Sequence, residues 1–206
     1  ILSPHKIHME IISPFSYVFG TEAITEDLSE LKTNTCFAHG REQDEHEYEE
    51  NPFTILNKYK YSKKILTKYL NEFIKENFNK SCQYKITTSW MTKLGVGERV
   101  HPHNHRNSMW SGVFYFDEYT EKSCALSFVN PIQREIPLKL DDYKSNTMTS
   151  DVSVEPEHNL LILFPSWLFH YSQPNEEKER KCLAFNFMPK GLIGIGDSSY
   201  DPAWMR

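Results

Sequence analysis

The sequence predicts a mainly β protein, a sandwich or barrel, with helical support towards its N-terminal end. Beyond Asn79, six short apolar runs are separated by turn residues: QYKITTSWMTKL, MWSGVFYF, CALSFVNP, NLLILFP, LFHYS and RKCLAFNF. Before them, Ser62 to Asn79 carries a helical period. Hydrophobic residues make up 39% and aromatics 14% of the 206 residues, enough for a substantial core and against global disorder.

Taken in order, residues 9–19 read as an apolar strand or extended arm, and ITEDLSELK as a short helix. EQDEHEYEE, from Glu42 to Glu50, reads as a solvated acidic loop, because nothing folds its carboxylates towards one another. In the next helix Ile65, Leu66, Tyr69, Leu70, Phe73, Ile74 and Phe78 recur every 3.6 residues, opposite lysines and asparagines, which is the pattern of core packing. LGVGER supplies a glycine-bearing turn between the first β run and a histidine cluster. Asp141 to Glu157 is polar and poor in core residues, the composition of a lid or substrate loop. No linker divides the chain, so residues 1–206 are expected to form one domain. Its parts are helical and extended support over 1–80, a β core over 81–190 and a tail over 191–206. The tail is left open between covering the pocket, mediating a homodimer and simply packing.

The net charge of −5 argues against nonspecific binding to nucleic acid or an anionic membrane, while leaving a local basic groove open. Cys36, Cys82, Cys124 and Cys182 are scattered without a CxxC, which points to free thiols in a reducing compartment. No apolar run reaches the length of a spanning helix, and ILSPHKIHMEIISPF lacks the layout of a signal peptide. A cytoplasmic location is the expectation.

Chemistry concentrates in HPHNHRNS, which places His101, His103 and His105 at alternating positions. In extended backbone, side chains two apart share a face, so imidazoles there converge on one spot and offer adjacent corners to zinc, iron, copper or nickel. A third corner must come from elsewhere. His170, at the end of FPSWLFH, is the natural partner, and Arg180 follows through the turn-like PNEEKE. A hairpin of 168–173 with 180–187 would set the two on neighbouring antiparallel strands. On the second strand Arg180, Cys182, Ala184 and Asn186 share one face, and Leu183, Phe185 and Phe187 the other. The bulky face packs on a layer, so the first face lines a cavity, and its small residues leave room beside a guanidinium suited to a carboxylate. A metal near a buried arginine asks for a dianion that chelates at one end and carries a carboxylate at the other. 2-Oxoglutarate fits that description.

HPHNHRNSMWSGVFYF, then CALSFVNP, then LLILFPSWLFH followed by Arg180, resembles the 2-oxoglutarate/Fe(II)-dependent oxygenases of bacteria and phages, in which an HxHPNS-like segment precedes a strand reading SGVYY. The resemblance runs from about Gln83 to Pro189. It implies a double-stranded β-helix, a cupin-like jelly roll with N-terminal α-helices packed on one sheet. It also implies His103, His105 and His170 as catalytic Fe(II) ligands, and Arg180, with Cys182 beside it, as the binding group for 2-oxoglutarate. The implied reaction is hydroxylation of an unidentified small-molecule or protein side-chain substrate by molecular oxygen, with release of succinate and carbon dioxide. Two departures stand out. The superfamily carries Asp or Glu where this chain has His105, and its RxS pattern reads Arg180-Lys181-Cys182, a thiol being a weaker donor than a hydroxyl.

Other readings stay open. His101 and His103, flanked by Gly95 and Gly112, also suit a general cupin motif; otherwise His101 lies in the outer shell or on the substrate side. A three-histidine cupin dioxygenase or isomerase would need no 2-oxoglutarate, and a jelly roll can also be a non-enzymatic binding or structural module. His5, His8, His39, His46 and His158 read as structural or solvated. Trp90, Trp110 and Trp167 read as core aromatics, with Trp167 close enough to His170 to wall a pocket, and Tyr115 is even between core and pocket.

Overall fold

A computed structural model describes residues 19–39, 51–78, 83–131, 151–194 and 196–199. Its strands are β1 (Gly20–Ala23), β2 (Gln83–Gly95), β3 (Trp110–Tyr115), β4 (Leu126–Val129), β5 (Asp151–Val154), β6 (Leu160–Pro165), β7 (His170–Ser172) and β8 (Glu179–Lys190), with one α-helix, α1 (Lys60–Phe78). Two antiparallel sheets form, a larger one ordered β1-β6-β3-β8-β2 and a smaller one ordered β5-β4-β7. A bridge between His103 and His170 adds the histidine segment beside β7. From β2 onwards the chain passes between the sheets and back, which is the winding of a double-stranded β-helix. The fold is a jelly roll of this type.

The larger sheet is covered on both faces, which is why its strands read as nearly continuous apolar runs. Leu161, Leu163, Leu183, Phe185 and Phe187 belong to a core shared with α1. Their alternating neighbours Ile162, Phe164, Cys182 and Ala184 belong to a second core between the sheets, with Val113, Leu126 and Phe128. A period of two thus assigns each strand residue to one of two layers.

Helix α1 buries Ile65, Leu66, Leu70 and Ile74, as its period predicts. Glu30 accepts hydrogen bonds from the Ser62 amide (3.0 Å) and hydroxyl (2.5 Å), meeting a donor that the first helical turn cannot satisfy internally. Asn71, past the middle of the helix, pins it to the sheet, accepting from the Tyr84 amide at 2.7 Å and donating to the Tyr84 carbonyl at 3.2 Å.

Several expectations change. The helix read over ITEDLSELK is a 3-10 turn at Ser29–Thr33; Leu28 and Leu31 are both buried, and a spacing of three suits that tighter turn. Among the described residues α1 is the one α-helix, so the N-terminal support is α1 with 3-10 turns rather than several α-helices. Part of the polar excursion from Asp141 to Glu157 is β5, an edge strand whose Ser153 hydroxyl lies 2.8 Å from that of Ser127. One exposed face and one open edge account for its polar sequence. The expected hairpin does not form, since β7 pairs with β4 and β8 with β2 and β3. His170 and Arg180 therefore sit on opposite sheets with space between them. The acidic stretch Glu42 to Glu50 and most of the 9–19 arm lie outside the described residues. Among those described, no helix is long and apolar enough to cross a membrane.

Candidate metal centre

The distant histidine is brought in by backbone pairing. His103 and His170 exchange both amide-to-carbonyl hydrogen bonds, at 3.0 and 2.9 Å, so residues far apart in sequence stand directly opposite with their rings on one side. The His105 amide donates to the Ser166 carbonyl at 2.9 Å, holding the next turn of the segment against the start of the β6–β7 connection. Ring centroids lie 4.3 Å apart for His103 and His170, and 5.0 Å for His105 and His170.

The tautomer of each ring follows from what its Nδ1 touches. Nδ1 of His103 lies 2.8 Å from the His101 carbonyl, that of His170 lies 3.0 Å from the Leu168 carbonyl, and that of His105 lies 2.6 Å from Oδ1 of Asn186. Each partner is an acceptor, so each Nδ1 carries the proton and each Nε2 presents a lone pair. Nε2 of His103 and Nε2 of His105 face each other at 3.2 Å. Two lone pairs directed at one spot repel unless a cation stands between them. Nitrogens held about 2.1 Å from a common ion span this separation at an angle of roughly 100°. Candidate ligand atoms of the three histidines all lie within 4.8 Å of one another. The set fits a divalent transition metal.

Burial holds two of these rings neutral. It pushes His170 down to about 3, outweighing the Leu168 carbonyl bond, and it also lowers His105 despite the bond to Asn186. Neutral imidazole is the ligating form.

Arg180 faces the same cavity of about 790 Å³ from the opposite sheet. Only 3% of it is exposed. One terminal nitrogen donates to the Tyr115 hydroxyl at 2.6 Å and the other lies 3.5 Å from Cys182 Sγ, while its Nε has no hydrogen-bond partner. Burial opposes its charge, but Tyr115 and Cys182 more than offset that, and the net displacement is upward. Among the described residues no carboxylate lies within ion-pair distance of it. A buried cation with an unused donor and no nearby carboxylate among the described residues is placed where it could receive an anion. Tyr115 is fully buried and accepts from Arg180, so its own hydroxyl proton remains available to the same ligand. Burial pushes that phenol well above its ordinary range, keeping it a donor.

The sequence-predicted residues His103, His105, His170, Arg180 and Cys182 all line this one cavity. His101 also lines it, at the exposed rim, and serves His103 through its backbone carbonyl. Tyr115 proves to be both core and pocket. Trp110 is core, Trp167 is half exposed and does not line the cavity, and Trp90 packs against His105 with centroids 5.3 Å apart.

His39 was expected to be structural or solvated and is instead a cavity residue. Its carbonyl accepts from the Lys93 amide at 3.0 Å, adding one residue of parallel pairing to the outer edge of β2 opposite Thr92. Burial, aided by His103, lowers its pKa. No local motif marks it, because a pairing this short leaves no periodic signal. His158 lies 3.0 Å from the Asp117 carbonyl and away from the cavity; His5, His8 and His46 lie outside the described residues.

Among solved structures, the chain resembles a 2OG-Fe(II) oxygenase family oxidoreductase from Burkholderia pseudomallei, with 11% identity over 56% of this chain and 50% of that one and a TM-score of 0.44. It also resembles a prolyl-4-hydroxylase from Pseudomonas putida, at 18% identity over 58% and 61% with a TM-score of 0.40. HygX from Streptomyces hygroscopicus, solved with nickel and 2-oxoglutarate bound, matches at 10% identity over 63% and 66% with a TM-score of 0.43. The chain thus spans between half and just under two thirds of the length of these relatives. No curated protein sequence matches it. Residues 88–186, the segment that carries all three clustered histidines, Arg180 and Asn186, match the family described as "Putative 2OG-Fe(II) oxygenase".

Proposed function

We propose that this protein is an Fe(II)- and 2-oxoglutarate-dependent oxygenase that hydroxylates an unactivated C–H bond. One observation carries the reading: three Nε2 lone pairs converge in the same cavity as a buried guanidinium that has no carboxylate partner among the described residues. His103, His105 and His170 would hold the metal. Arg180, with Tyr115 beside it, would hold the far carboxylate of 2-oxoglutarate, and Cys182 would border that carboxylate. When bound, iron and 2-oxoglutarate together supply an oxidant derived from molecular oxygen, with succinate and carbon dioxide as co-products.

The chain's own contribution is geometry and exclusion of water. Backbone pairing fixes His103 against His170, and the apolar layer of Val113, Leu126 and Ala184 walls the cavity from solvent. No protein general base is assigned, because His105 and His170 have both ring nitrogens committed to ligation or to a structural hydrogen bond. The cavity falls within the usual range of ligand sites, roughly 300–1,000 Å³, and leaves space beyond the cosubstrate for a small molecule or a protein side chain. Free thiols at Cys36, Cys124 and Cys182 support a reducing, cytoplasmic setting.

A three-histidine cupin enzyme independent of 2-oxoglutarate would leave Arg180 buried without a purpose. The test is anaerobic addition of Fe(II) and 2-oxoglutarate, which should produce a visible metal-to-ligand charge-transfer band that Arg180→Ala abolishes. No band, or an unchanged band in the variant, refutes the proposal. Screening candidate substrates by stimulated succinate release would then identify the substrate.

A further inference from the structure

The ring that departs from the superfamily's carboxylate is also the one with the most elaborate support. Nδ1 of His105 meets a side-chain amide, where His103 and His170 meet backbone carbonyls. Asn186 sits on β8 with Thr88 of β2 directly across on one side and Ser111 of β3 directly across on the other. Its Nδ2 donates to the Thr88 hydroxyl at 3.0 Å. Its Oδ1 receives the Ser111 hydroxyl at 2.8 Å as well as the His105 ring proton. Ser111 in turn shares a 2.8 Å hydrogen bond with Ser166, and both serines are fully buried.

The Thr88 and Ser111 hydroxyls can each donate or accept, so the ring decides the amide's orientation: with Nε2 turned to the cluster, Nδ1 carries the proton and the amide oxygen must face it. A flipped Asn186 would present N–H groups to the His105 Nδ1–H and lose the bond to the ring. The strand register is also adjusted at this point. Pairing of β2 with β8 slips between Ile86 and Thr88, a bulge that puts Thr88 opposite Asn186. Bulges beside active sites commonly re-aim a side chain in this way.

We infer that Asn186, held in place by Thr88 and Ser111, is a positioning residue that holds His105 as the Nδ1–H tautomer and aims its Nε2 into the cluster, allowing an imidazole to stand where the superfamily has a carboxylate. This rests on the metal-site reading above. A neutral amide, unlike a carboxylate, adds no negative charge to the ring it holds, so the centre keeps the full charge of its metal for a dianionic cosubstrate. Outer-shell partners of ligating histidines set ring orientation and basicity, and their loss commonly costs about 10–100-fold in metal affinity.

The test is Co(II) binding to the metal-free full chain, followed by calorimetry and by the visible ligand-field spectrum. Asn186→Ala should bind about 10–100-fold more weakly than wild type with a shifted spectrum. Asn186→Asp should restore most of that affinity, because its carboxylate oxygen can accept the same ring proton. Thr88→Val, which keeps its shape and removes the hydroxyl, should show a smaller loss in the same direction. Wild-type affinity and spectrum in Asn186→Ala, or an Asn186→Asp as weak as Asn186→Ala, overturns the inference while the metal site stands. Absence of Co(II) binding by wild type, or wild-type binding by His170→Ala, overturns the metal reading and the inference with it. If Asn186→Ala fails to fold, Asn186→Asp and Thr88→Val decide; wild-type affinity and spectrum in Thr88→Val then count against the inference.

Discussion

Removing the buried charge at Arg180 should stabilise the ligand-free protein and abolish its response to 2-oxoglutarate. The guanidinium is 3% exposed, bonded to a phenol and a thiol, and has no carboxylate partner among the described residues. Burying an ion costs several kcal/mol after relaxation, and two neutral partners recover only part of it. Arg180→Met retains most of the stem volume but leaves the Tyr115 hydroxyl without its donor, a loss of about 1–3 kcal/mol. Arg180→Met with Tyr115→Phe removes both polar groups, so the double variant should exceed wild type by about 1–4 kcal/mol. For a chain of this size each kcal/mol moves Tm by about 2–4 °C. Urea denaturation and thermal melts of metal-free protein measure the first effect. The second is the further melting shift when 2-oxoglutarate is added to metal-loaded protein at a hundredfold excess over Kd, about 2.7 kcal/mol in wild type and none in the variant. A double variant less stable than wild type refutes the claim that the charge is uncompensated, and a retained ligand shift refutes the assignment of Arg180.

His170→Ala should lose stoichiometric metal and keep the fold, whereas His101→Ala should keep metal, because the His101 ring lies outside the convergent trio; equilibrium dialysis with metal analysis separates the two. Metal-free protein should lose stability below about pH 6.5. Burial holds folded His170 near 3, against an ordinary value of 6.5. The unfolded chain therefore takes up a proton that the folded chain refuses, costing up to about 1.4 kcal/mol per pH unit. Stability is intact above pH 6.5 and falls as pH drops towards 3, and denaturant titrations at pH 7 and 5 should show a weaker dependence for His170→Gln. Gly112→Ala should destabilise by about 1–3 kcal/mol through overpacking, since a Cβ there would stand 2.7 Å from Cζ of Phe185; a melting curve matching wild type would contradict the packing described.

Legibility in the sequence followed the periodicity. All six apolar runs after Asn79 became strands or the main part of strands, because burial on one or both faces writes itself into composition. β1 and β5 were missed for the opposite reason: each is four residues long, sits at a sheet edge and buries little. The strands were read correctly but not all of their pairings. A hairpin between β7 and β8 is the local expectation for consecutive β runs, yet the inner face of each strand finds a different layer, and a crossover between sheets has no motif of its own. At the site, the three histidines and Arg180 were legible from spacing together with the family resemblance. Asn186 was visible only as a member of the cavity face of β8, because its role depends on cross-strand neighbours in β2 and β3.

Electrostatics joins these features into one account of the cavity. A carboxylate ligand would leave a divalent metal with one net positive charge, whereas three neutral imidazoles leave it with two. Arg180, on the facing sheet, contributes a further positive charge at the other end of the cavity and has no carboxylate partner among the described residues. Without a ligand, both ends favour an anion, and the low-dielectric walls between them strengthen that preference. A ligand carrying one charge would leave an end uncompensated. A dianion long enough to reach both neutralises the guanidinium and half of the metal charge in a single binding event. On this reasoning the histidine substituted for a carboxylate and the isolated arginine act together, and affinity for a dicarboxylate should fall more steeply than affinity for a monocarboxylate when Arg180 is removed. Equal losses for the two, measured by competition against 2-oxoglutarate, would show that the ends of the cavity act independently.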